Sequence, residues 1–117
     1  MSKVSSGRST GGEYELSVLK FASTRRWRDG LLFEKPRMTI QNYLWGLGVF
    51  CTWAKMNPDE LMLERKMEIS LKQDDSKTAS FRRIEEYQLN DRSKTKHSRA
   101  LITKALSSFY TNNVSII

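Results

Sequence analysis

Few side chains in this sequence are of a type that does covalent or metal chemistry. The 117 residues hold one histidine, His97, and one cysteine, Cys51. A metal site built on one imidazole needs carboxylates beside it, and no Asp or Glu stands three or four residues from His97. His97 is therefore read as facing solvent or a phosphate. Cys51 falls on an apolar stripe and is read as a small buried hydrophobe, not a nucleophile. With no second thiol it forms no internal disulfide, which fits a reducing, cytoplasmic setting. Glu60, Glu64 and Glu68 have i, i+4 spacing and read as a solvated helix face, partly paired with Arg65 and Lys72. Asp74 and Asp75 read as a loop or cap pair. Gly46-x-Gly48 lacks the third glycine of a phosphate-cradling loop and follows no strand. No acid, base and nucleophile converge, so the expectation is a non-enzyme with no cofactor, no metal and no small-molecule substrate.

Charge is the stronger signal. The chain carries 20 Lys and Arg against 13 Asp and Glu, a net charge of +7. Residues 1–37 hold eight basic and four acidic groups, residues 38–75 four and six, and residues 76–117 eight and three. Two basic blocks thus flank an acidic middle, the footprint expected for a polyanion and first of all for nucleic acid. A solvated basic face, or an acidic protein partner, accounts for the same charges. No apolar run approaches the ~20 residues needed to span a bilayer, and no membrane partner is expected.

The elements that position these residues read as helices. Residues 1–12 are mostly Ser, Gly and Thr and read as a disordered tail; residues 13–113 read as one helical domain, and 114–117 as a tail or linker. A first helix runs from Tyr14 to Gly30 on Leu16, Leu19, Ala22 or Ser23, Arg26 or Trp27, and Leu31, with Arg25, Arg26 and Arg28 as a basic cluster on its polar side. Phe33 to Met38 contains Pro36 and reads as a connection. The second helix has Thr39 as N-cap and repeats Ile40, Tyr43, Leu44, Leu47, Phe50, Cys51 and Ala54 to about Met56. Gly46 and Gly48 lie inside it, each costing about 1 kcal/mol relative to Ala, which points to close helix approach or to a tolerated weakness, with close packing favoured. Trp45 lies off the stripe. Asn57-Pro58-Asp59-Glu60 starts a third helix to about Gln73. A fourth runs from a Ser76 cap to Leu89 with Phe81, Ile84 and Tyr87 or Gln88 inward. The last starts near Ser93 or Thr95, buries Leu101, Ile102, Ala105, Leu106, Phe109 and Tyr110, and ends near Asn112. Its first turns crowd Lys94, Lys96, His97 and Arg99 at the positive end of the helix dipole, where an anion would be stabilising. The fold class is all-α, a compact bundle of four to five helices.

Three segments carry a resemblance: Thr39-x-x-x-Tyr43-x-x-x-Leu47-x-x-Phe50-x-x-Trp53, then Asn57-Pro58-Asp59-Glu60-Leu61, then Ser98-x-x-Leu101-Ile102-x-x-Ala105-Leu106-x-x-Phe109-Tyr110. In order and spacing they resemble the SAM-like core-binding domain at the N-terminus of tyrosine recombinases, the phage-integrase family, in its archaeal or phage-derived form. The resemblance spans residues 24 to 113. It implies half of a clamp around duplex DNA, with the second and last helices against the major groove. Lys35, Arg37, Thr39, Gln41 and Asn42 at one helix start, and Lys94, Thr95, Lys96, His97 and Arg99 at the other, then become the DNA-binding candidates. Lys and Arg supply phosphate affinity, while Gln41, Asn42 and His97 are of types that reach base edges.

The family's catalytic set, an Arg, a Lys, a His-x-x-Arg pair and a Tyr nucleophile, belongs to a separate C-terminal domain. Here His97-Ser98-Arg99 has the wrong spacing, and Tyr110 lies on a buried stripe. The resemblance therefore implies a domain that binds DNA for integration or recombination without cutting it, either part of a larger recombinase or a stand-alone relative. The alternative is a SAM-like helical module for protein–protein interaction.

Overall fold

A computed structural model describes residues 10–74, 77–91 and 94–114, and within them the chain is all-α. The helices are α1 (Thr10–Leu19), α2 (Ala22–Leu31), α3 (Arg37–Ala54), α4 (Pro58–Ser70), α5 (Ala79–Asn90) and α6 (Lys96–Val114). All six contribute to one core, from Val18 of α1 through Trp27, Leu47, Phe50, Leu61 and Tyr87 to Phe109 of α6.

The stretch read as one helix from Tyr14 to Gly30 is two. Phe21 is extended (φ −101°, ψ 138°), and its amide donates to the Val18 carbonyl at 3.1 Å. Val18 and Trp27 are both fully buried, yet nine residues on one straight helix would set them half a turn apart. Breaking the helix turns both onto the same core and leaves Leu16, expected inside, exposed. Helix α1 already begins at Thr10, inside the expected tail; residues 1–9 and 115–117, where the rest of the two tail assignments falls, lie outside the described residues.

Helix α3 starts two residues earlier than its expected cap. Pro36, not Thr39, is the N-cap, and its carbonyl accepts the Ile40 amide at 3.1 Å. A proline restricts φ and has no amide to leave unpaired, so it opens the helix without a side-chain cap. The two glycines of α3 point to nearly opposite sides, and each receives a neighbouring helix. A Cβ on Gly46 would lie 3.3 Å from Ile102 Cα and from Ala105 Cβ of α6; one on Gly48 would lie 2.6 Å from Tyr14 Cβ and 2.8 Å from the Tyr14 carbonyl oxygen of α1. Helix α3 is thereby sandwiched, and the close approach expected from the sequence is real.

Contacts along α3 fix its direction against α6. Tyr43, early in α3, stacks on Trp27 (6.2 Å between centroids), and Trp27 meets Phe109, late in α6, edge-on at 5.3 Å. Gly46 meets the middle of α6. Phe50 and Trp53, late in α3, close on Tyr87 at 5.6 and 5.2 Å, one turn before Asp91, whose carbonyl accepts from Arg99 early in α6. The two helices run antiparallel. Trp27 is further fixed by its indole N–H, which donates to Ser108 Oγ at 2.9 Å.

The start of α4 is as its sequence dictates: Asn57 and Glu60 form a reciprocal capping box at 2.8 Å each way, with Pro58 at the first helical position. The acidic row on this helix departs from expectation. Glu68 is 6% exposed and accepts from Arg65 (3.1 Å), the Ser80 amide (3.0 Å) and the Ser80 hydroxyl (3.1 Å), while Glu64 pairs with Arg83. The free amides at the start of α5 attract a carboxylate, and this draws Glu68 inward instead of leaving it solvated. Helix α5 is capped by Thr78, whose hydroxyl accepts the Phe81 amide at 3.4 Å; the expected cap Ser76 lies outside the described residues. Phe81, expected inside, is exposed, with the Arg65 guanidinium 5.1 Å from its ring centre. Helix α6 buries Ile102, Ala105, Leu106, Phe109 and Tyr110 as expected, and Thr95 caps it by accepting the Ser98 amide at 3.1 Å. Ser93, the other expected start, is outside the described residues.

Candidate nucleic-acid interface

The first turns of α3 present an uncovered polar face. Arg37 and Gln41 are one turn apart, Met38 and Asn42 stand beside them, and all four are exposed. Lys35, just before the helix, is exposed as well, while Thr39 is half-buried. Among the described residues neither Lys35 nor Arg37 is in an ion pair. Trp45, one turn beyond Gln41, is half-buried against the core. This face combines two cations with two side-chain amides, the donor and acceptor types that recognise phosphate and base edges respectively.

The start of α6 is used differently. Arg99, half-buried, donates to the carbonyls of Lys94 (2.7 Å) and Asp91 (3.4 Å), so its guanidinium clamps the α5–α6 connection. The Thr95 hydroxyl is committed to the cap. Lys94 is half-buried, and Lys96 and His97 are exposed. Of the five candidates at this helix start, only Lys96 and His97 have heads that are both outward and uncommitted to the chain's own loop among the described residues.

The two candidate groups are not brought together. Because α3 and α6 are antiparallel, their starts lie at opposite ends of the pair, about 20 Å apart at a rise of roughly 1.5 Å per residue. What stands near the start of α3 is the end of α2. Arg26 donates to Asn113 Oδ1 at 3.3 Å, Arg28 pairs with Asp29 at 3.3 Å, and Arg25 donates to the Leu19 carbonyl at 3.1 Å. Arg25 thus links α2 to the end of α1, and Arg26 links it to the end of α6.

The turn between α2 and α3 adds residues that sequence reasoning does not single out. There Leu32 (62% exposed) and Phe33 (91%) project outward, with Met38 (67%) beside them in the first turn of α3. The one signal for them in the sequence is an aromatic residue in a short polar connection beside a proline.

No other arrangement of reactive groups competes. Among the described residues no cluster of three or more His, Cys, Asp or Glu is placed to hold a metal ion. Cys51 is buried, and burial, reinforced by the Glu60 charge, pushes its thiol up to about 12. Burial likewise raises the Tyr110 phenol well above its usual range, so neither is an activated nucleophile at neutral pH. An apolar groove of about 440 Å³ opens between α4, α5 and α6, lined by residues including Ile69, Phe81, Ile84 and Tyr110. No helix among the described residues is long and apolar enough to cross a membrane. No family model, curated protein or solved structure matches this chain.

Proposed function

We propose that this chain is a non-catalytic, all-helical DNA-binding domain of integrase type that holds duplex DNA chiefly by its phosphates. The observation that carries the reading is the exposed face of early α3, where Arg37 and Lys35 flank Gln41 and Asn42 with no ion pair among the described residues. Cations left unpaired beside uncommitted amides suit a ligand that is both anionic and rich in hydrogen-bonding edges. Lys96 and His97 act as a second, distant contact: a duplex lying along α3 and α6 meets it about six base pairs from the first, taking roughly 3.4 Å per step. In this reading the native partners are duplex DNA and a catalytic domain supplied elsewhere in a recombinase. The test is a salt titration of duplex binding, in which the observed constant should fall linearly with log salt. A constant insensitive to ionic strength rejects phosphate-driven binding.

A second reading, a helical module for protein interaction, is favoured by one observation on another face. Leu63 and Met67 of α4 and Leu71 at its C-terminal cap, spaced i, i+4 and i+8, are all exposed. Charge reversal at Lys35 and Arg37 separates the two, because it abolishes duplex binding in the first and leaves an apolar partner of α4 untouched.

A further inference from the structure

We propose that the turn between α2 and α3 is a wedge that inserts Phe33 between stacked bases and bends the duplex. The inference rests on the DNA-binding reading and adds to it the mode of contact. Single exposed apolar residues are ordinary on protein surfaces. Here three of them, Leu32, Phe33 and Met38, project within seven residues of chain, and Phe33 keeps 91% of its surface in water.

The tip is held rigid. The amides of Leu32, Phe33, Glu34 and Lys35 donate to the carbonyls of Arg28, Gly30, Leu31 and Leu31 at 3.0, 3.2, 3.0 and 2.8 Å, and Pro36 then fixes the entry into α3. The backbone that carries the ring is thus ordered before it inserts, so no chain ordering is added to the cost of binding. Apolar side chains of this kind partially unstack base steps and kink DNA when cations beside them grip the adjacent phosphates. Lys35 and Arg37 are those cations, within four residues of Phe33 and exposed.

An anionic lipid surface also attracts an apolar tip among cations. DNA is favoured because the same helix start carries the exposed amides of Gln41 and Asn42, which match base edges and have no role in an acyl layer. Interfacial binding normally uses the exposed apolar face of a longer amphipathic helix, whereas the exposed apolar side chains here are Leu32 and Phe33 of the turn and Met38 in the first turn of α3. Glu34 is exposed within the turn and opposes either anion.

The experiment uses the whole chain and a short duplex labelled with 2-aminopurine at successive positions and with a donor–acceptor pair at its ends, at low salt. The expected result is a severalfold rise in 2-aminopurine fluorescence and a shortened end-to-end distance. Phe33→Ala should abolish both while salt-sensitive binding stays within about threefold to tenfold of the parent. Because Phe33 is almost wholly in water, this variant should keep the parent's helical circular dichroism and unfolding midpoint. Duplex binding with no rise and no bend overturns the wedge and leaves the DNA reading standing. No duplex binding at low salt sinks both. Phe33-dependent association with vesicles of phosphatidylcholine and phosphatidylserine, without unstacking of the duplex, assigns the tip to a membrane and overturns the proposal.

Discussion

Tyr14 and Gly48 are in backbone contact: a methyl group on Gly48 would lie 2.6 Å from Tyr14 Cβ, 2.8 Å from its carbonyl oxygen and 3.0 Å from its carbonyl carbon. Two of those three atoms are backbone, so no rotamer change relieves the overlap. This contact sets how closely α1 lies across the middle of α3.

Gly48→Ala should therefore destabilise the fold by about 1 to 3 kcal/mol, the cost of overpacking, although alanine gains about 1 kcal/mol of helix propensity. Gly46→Ala, whose nearest neighbours stand at 3.3 Å, should cost less. Urea unfolding of both variants checks the order. If Gly48→Ala proved the more stable of the two, α1 would not be packed on α3 as described.

Lys55 ends α3 in the left-handed region (φ 59°), which for a side chain other than glycine costs about 1 to 2 kcal/mol. Lys55→Gly removes that strain, at some cost in unfolded-chain entropy. A net gain of about 0.5 to 1 kcal/mol is expected, read as a higher unfolding midpoint. No gain would mean that the lysine side chain makes a compensating contact.

Removing the buried carboxylate in Glu68→Ala takes the ion-pair acceptor from the Arg65 guanidinium and leaves the Ser80 amide at the start of α5 unsatisfied. The expected loss is about 3 kcal/mol or more, with Glu68→Gln milder because it keeps an acceptor. Hydrogen exchange should report the loss first in α5. Equal effects from the two substitutions would argue against a charge-assisted link.

The Cys51 thiol, raised in the folded state from 9.0 to about 12, gives stability a definite pH dependence. Below pH 9 the thiol is protonated in both states and its full contribution is present. Above that the unfolded chain loses the proton first, so stability falls progressively as pH rises from 9 toward 12. Burial shifts Tyr87 and Tyr110 in the same direction, and they add to the fall. Chemical unfolding at pH 8 and pH 10 should show a smaller drop for Cys51→Ala than for the parent, and an identical drop would remove the thiol from the account.

Double reversal of Lys35 and Arg37 to Glu should weaken duplex binding by about tenfold or more and reduce the magnitude of the salt slope by about 2, one for each phosphate no longer neutralised. Reversal of Lys96 with His97→Ala should have a smaller, separable effect. Arg99 is the wrong target, because its guanidinium clamps two loop carbonyls and its removal disturbs the start of α6.

Much of the fold is legible in the sequence because helix starts and apolar spacing are local properties. The Asn57 capping box, the stripe of α6 and the two close-packing glycines all follow from residues within a few positions of one another. The break at Phe21 is not legible, since only the shared core shows that Val18 and Trp27 must face the same way. Glu68 escapes sequence reasoning on related grounds: nothing in α4 itself says that the start of α5 will stand over it.

The sequence alone therefore determined the helical class, most helix positions and the segregation of cations, all set by period, caps and composition. Tertiary structure decided how those pieces face one another. Running α3 against α6 sends their two basic starts to opposite ends of the bundle, while the α5–α6 connection draws Arg99 onto its own carbonyls. It leaves Lys35, Arg37, Gln41 and Asn42 exposed beside the projecting Phe33. The physical reason is that helix direction and the burial of a charged side chain depend on which distant segment packs against it.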